Sequence, residues 1–166
     1  SGRCGCGQHR RARCHGEIAE QFSHMGMGRS FAVPDPKTAV EDFTRGEYYH
    51  EASDLYYRMT MGADGVMRMT QYEVADDGQP INDLTLTCDF AVGSGNHART
   101  YLHRTASGEL WEMPVSWYSE GEGHFGMSPG YDHAGHQRVS RMVGYECMFC
   151  HNAYPDVIAG SDREGM

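Results

Sequence analysis

The predicted fold class is α+β: an antiparallel β-hairpin meander with short helical segments at both ends. Three observations predict it. Between residues 44 and 118, aromatic and other apolar residues alternate with polar ones in short runs split by Gly- and Asp-rich turns. Residues 16–23 set Ile18, Ala19 and Phe22 on one stripe of a helix. Residues 138–142 and 144–154 read as helical, and Pro155 stops the run.

In chain order, residues 1–13 are basic and glycine-rich, unlike the acidic remainder, and are expected to be a flexible arm. Residues 14–158 are expected to form one domain, and residues 159–166 a polar tail. Gly26 and Gly28 end the first helix. The strands follow. Tyr48-Tyr49 and residues 55–61 are aromatic-rich, residues 62–65 form a turn, and residues 66–74 alternate again, which together predict a β-hairpin. A second turn over residues 76–80 leads to the alternating run 84–90, where Cys88 is expected to be a buried free thiol. The glycines of Gly93-Ser94-Gly95-Asn96-His97 allow a tight turn that ends on His97. Another hairpin joins residues 99–104 to 109–118 through a turn at Ala106-Ser107-Gly108, with Tyr101, Trp111, Trp117 and Tyr118 on its apolar face. Residues 119–138 read as loop, and their histidines, His124, His133 and His136, read as surface side chains.

The chain has 166 residues, is 39% hydrophobic and carries a formal charge of −9. Its mean hydropathy is −0.62. That length buries a real core. The acidity argues against nucleic acid or an anionic membrane as partner. It would suit a basic redox partner. No run is long and apolar enough to span a bilayer.

One motif stands apart. Cys147-Met148-Phe149-Cys150-His151 reads C-x-x-C-H, the attachment pattern of a c-type haem. Two residues three apart on a helical turn share a face, so Cys147 and Cys150 can both reach one porphyrin edge. His151 follows at the position of an iron ligand. With six Cys and ten His in the chain, chance places this pattern in roughly one such sequence in a hundred. Near the other end, Cys14-His15 is the remnant of a similar box, with Arg11 where the first cysteine would stand. It reads either as a second haem site with one thioether or as a free cysteine beside a solvated histidine. His and Met are the usual second axial ligands of such iron, which brings His24, Met25 and Met27 into view. Covalent haem is attached outside the cytoplasm. The expected location is therefore periplasmic or extracellular, and the chain, opening on Ser1, is expected to be part of a longer exported protein.

Six phrases occur together: Gly26-Met27-Gly28-Arg29-Ser30-Phe31, Tyr48-Tyr49-His50-Glu51-Ala52-Ser53, residues 93–102 (GSGNHARTYL), Pro114-Val115-Ser116-Trp117-Tyr118, Met127-Ser128-Pro129-Gly130-Tyr131-Asp132, and residues 147–155 (CMFCHNAYP). In combination the chain resembles the N-terminal region of exported bacterial multihaem c-type cytochromes, often fused to tetratricopeptide repeats. The resemblance runs from Cys14 to Pro155. Members carry a full C-x-x-C-H box where this chain keeps only Cys14 and His15, and a further box downstream of the NAYP phrase. The resemblance implies covalent haem c at Cys147 and Cys150, a second haem at Cys14, iron ligation by His151 and His15, and electron transfer. His97, His50 and Met27 lie inside matching phrases and are carried over as distal-ligand candidates. Downstream haem and repeat regions are the implied intramolecular partners.

Two other readings stay open. A multihaem redox enzyme would need one open iron face with acid–base groups over it, such as His97 beside Arg99 or His103 beside Arg104. A haem-free zinc or interaction module would hold zinc through Cys147, Cys150, His151 and one more residue, such as Cys88 or Cys14.

Overall fold

The structure is a computed structural model that describes residues 16–144 and 146–148. It is mostly β: two antiparallel sheets packed face to face, with little helix. The expected antiparallel hairpins are present, whereas the described residues carry less helix than the α+β expectation, and most of the helix expected over residues 144–154 lies outside them. Among the described residues the helical contribution is α1 (Gly16–His24), two 3-10 turns (Met27–Arg29 and Phe43–Arg45) and residues 146–148.

The first sheet is a plain meander of β2 (Glu47–His50), β3 (Leu55–Met61), β4 (Met67–Val74) and β5 (Pro80–Thr87). The second has the order β1 (Phe31–Ala32), β6 (Phe90–Val92), β7 (Ala98–Arg104), β8 (Leu110–Tyr118), β10 (Arg141–Met142), with β9 (His124–Met127) also on β8.

Three hairpins turn in the same way. The first residue of each turn donates its N–H to the carbonyl four residues on, and a glycine in between donates back: Gly62 to Val66 at 3.0 Å, Ala75 to Gln79 at 2.9 Å, Thr105 to Glu109 at 2.9 Å. Gly65, Gly78 and Gly108 each stand at positive φ (75°, 81° and 96°). This is a type I turn closed by a left-handed residue, which glycine adopts without steric cost.

The chain passes between sheets at Cys88-Asp89. The Cys88 N–H bonds Met67 O in the first sheet at 2.9 Å, and the Asp89 N–H bonds Leu102 O in the second at 2.8 Å. In β8, Pro114 lies between the residues paired with β10 (Trp111, Glu112) and those paired with β9 (Val115 to Tyr118). Having no N–H, proline suits the point where a strand changes partner.

The main core lies between the sheets. Tyr57, Met59, Met67 and Met69 face Tyr101, Met113, Val115, Trp117, Phe125 and Met127, with Cys88 and Ala91 among them. Unbranched methionines fill irregular gaps between aromatic rings. Cys88 is the buried free thiol expected, and burial pushes its thiol well up. A smaller cluster covers the outer face of the second sheet: Leu102, Leu110, Val143 and Met148, with half-buried Phe31, Phe90 and Val92. That face positions the candidate site.

Two local expectations are corrected. Residues 138–142 are not helical: Arg141 and Met142 pair with Glu112 and Trp111 as β10. Residues 119–138 are not all loop, because His124–Met127 pairs with the end of β8.

Candidate functional site

The approach to Cys147 is tied down by Tyr131, whose side chain is 1% exposed. Its hydroxyl accepts from the N–H groups of Ser140 and Arg141, both at 3.1 Å, and donates to Glu112 O at 2.8 Å. The Arg141 guanidinium meets the Glu112 carboxylate at 2.7 Å. Burial raises the Glu112 pKa, and the Arg141 charge opposes that rise. One step on, the Val143 N–H bonds Leu110 O at 2.8 Å.

Gly144 then opens a helical turn. Its carbonyl accepts from Cys147 N at 3.2 Å and Met148 N at 3.3 Å. Met148 is 2% exposed and packs in the outer-face cluster. Cys147 is an exposed free thiol. The turn therefore has a fixed rotation, with Met148 against the sheet and the Cys147 sulfur to solvent. This arrangement fits the first half of a haem-attachment motif, which needs an accessible thiol on a helical turn. Cys150 and His151 lie outside the described residues.

Cys14 and His15 also lie outside them, and α1 begins at the next residue, Gly16. The chain after α1 meets the 93–97 loop directly. A side chain at Gly26 would touch Ser94 and Asn96, and the Gly93 N–H bonds Ser30 O at 2.7 Å. Phe31 pairs with Val92 and stacks on Phe90. The GMGRSF phrase, the GSGNH loop and the start of the C-x-x-C-H motif thus gather around one sheet.

The distal-ligand candidates part company. His97 is exposed beside β7, and its carbonyl accepts from Ser119 N at 2.8 Å. The loop before it is held from below by a buried ion pair. Arg99 meets Glu41 at 3.3 Å, with side-chain exposures of 13% and 3%. Tyr101 OH donates to the same carboxylate at 2.7 Å, and Arg99 donates to Ser94 O at 3.2 Å. Met27 opens a 3-10 turn in the neighbouring segment. His50 is elsewhere and buried. Its Nδ1 faces Ser53 Oγ at 2.7 Å and its Nε2 faces Asp132 Oδ1 at 3.1 Å. Both ring nitrogens thus have partners within the fold.

His50 belongs to a network that no sequence pattern marks. Tyr57 OH donates to His136 Nε2 at 3.1 Å, and His136 Nδ1 donates to Gln137 O at 3.1 Å. The donor role of Nδ1 leaves Nε2 as the acceptor of neutral imidazole. Burial lowers the His136 pKa, His50 and His133 lower it further, and the Gln137 carbonyl opposes them. These residues lie 79 to 83 positions apart, and no local pattern links them.

The zinc alternative loses its internal partner. Cys88 sits in the core between the sheets, whereas Met148, next to Cys147, packs on the outer face. Among the described residues, no three or more His, Cys, Asp or Glu side chains are grouped so as to hold a metal ion. No described helix is long and apolar enough to cross a membrane. Scanned against protein-family models, curated proteins and solved structures, the chain gives no match.

Proposed function

We propose that this chain is a c-type cytochrome module that carries electrons on covalently bound haem. The carrying observation is the C-x-x-C-H pattern at residues 147–151, with Cys147 exposed on a turn that Met148 anchors. Cys147 and Cys150 would hold the haem, each by adding its S–H across one vinyl group, which consumes no oxidant or reductant, and His151 would supply an imidazole ligand to the iron.

The bound group supplies a one-electron iron couple, whose potential the protein sets through ligands, burial and hydrogen bonds. The chain's part is to hold and orient. Tyr131, Arg141 and Glu112 fix the strand that leads into the motif, and Met148 sets the rotation of its first turn. Cys14 and His15 are the proposed site of a second haem. Met27 and His97, in adjoining segments, are proposed as distal-ligand candidates. The proposed setting is an exported protein, periplasmic or extracellular, with a basic redox partner and further haem and repeat regions in a longer chain.

The test is the double variant Cys147→Ala/Cys150→Ala, made with a c-type maturation system and exported. The proposal expects loss of the haem bound at this site, read by haem staining after denaturing electrophoresis and by mass. Retention of the same haem content would refute it.

A further inference from the structure

We infer that the stacked pair Phe31 and Phe90, with Val92 beside it, is the protein wall against which the haem tethered at Cys147 packs. The inference rests on the cytochrome reading above. The two rings lie 5.1 Å apart at 28°, nearly parallel. They come from neighbouring strands, since Phe31 pairs with Val92 in the β1–β6 ladder. Both rings and Val92 are half-buried, so they still show apolar surface to solvent on a chain of net charge −9.

Met148 connects the motif to the pair. It packs in the same apolar cluster as Phe31, Phe90 and Val92, and the exposed Cys147 thiol is one residue away. The sulfur is thus one residue from a member of the cluster against which the pair packs. A flat macrocycle gains most from a flat apolar surface, because dispersion and area burial both scale with contact. Offset stacking on aromatic rings adds to this. The N-terminal GMGRSF phrase then has a role beyond starting β1: it delivers Phe31 to the haem of the distant C-terminal motif.

The test uses the full chain with its haem, reduced and saturated with carbon monoxide, which is diamagnetic whether the iron begins five- or six-coordinate. Nuclear Overhauser contacts between haem protons and the rings of Phe31 and Phe90 are the expected result. They should disappear one ring at a time in Phe31→Leu and Phe90→Leu, with haem-to-protein stoichiometry unchanged. The Soret circular dichroism should change in both variants. In Phe43→Leu, on the opposite side of the second sheet, it should not. Haem attached at Cys147 with neither contact, and with Soret dichroism insensitive to both variants, would overturn the wall alone. A wild-type protein without covalent haem would overturn the cytochrome reading and the wall with it.

Discussion

Cys147 and Met148 are adjacent in sequence and opposite in environment: the thiol is exposed, while Met148 is 2% exposed beneath it. A helical turn makes this possible, because successive side chains point about 100° apart. The turn is thereby fixed on the sheet while its cysteine remains accessible for chemistry.

Met148→Ala should therefore cost both stability and presentation. Removing a buried methionine typically costs about 2–5 kcal/mol through lost burial and the cavity left behind. The expected outcome is a lower urea midpoint and a smaller fraction of chains carrying haem at Cys147. A midpoint within error of wild type would mean that Met148 does not anchor the turn.

Tyr131→Phe isolates one hydroxyl. Its loss leaves the Ser140 and Arg141 N–H groups and Glu112 O without the bonds it makes. These bonds are partly buried, and a fully buried group left unsatisfied costs about 1–3 kcal/mol. The variant should be destabilised by up to about that amount and cut faster by protease near Arg141. Unchanged cleavage would place the anchor of this segment elsewhere.

His151→Ala tests the iron ligand. The variant should keep its thioether-bound haem but show a higher-spin iron in the optical spectrum. An unchanged low-spin spectrum would remove His151 from the proximal position.

The histidine network predicts a pH dependence. The folded pKa of His136 is depressed, chiefly by burial, so in the window below the ordinary value the unfolded chain binds the proton more readily. The stability this residue contributes is complete above the ordinary imidazole value, about 6.5. It is lost as pH falls from there through the depressed value. His136→Gln removes that titration, so the wild-type urea midpoint should fall more steeply than the variant's between about pH 7 and pH 5. Parallel curves would contradict the depressed value.

What the sequence revealed follows the range of the signal. The hairpins were legible because each turn carries its own chemistry, with a glycine at the fourth position of Gly62–Val66, Ala75–Gln79 and Thr105–Glu109. Helix α1 was legible from a single stripe. β9 and β10 were not. Each is short, and each exists because β8 offers an open edge on either side of Pro114. The division into two sheets at Cys88-Asp89 was equally hidden, since alternation shows which residues face inward but not which hairpins join. At the site, C-x-x-C-H was legible because it is contiguous. The Phe31–Phe90 stack and the His50–Asp132 contact join distant stretches of chain and needed the fold to appear.

The most direct test of the central claim is a pyridine haemochrome spectrum with haem-to-protein stoichiometry, on chain matured with a c-type system and exported. The account predicts a c-type spectrum with one haem per chain from Cys147 and Cys150, or two if Cys14-His15 is also loaded. A colourless protein would contradict it and shift the weight to zinc at the same cysteines.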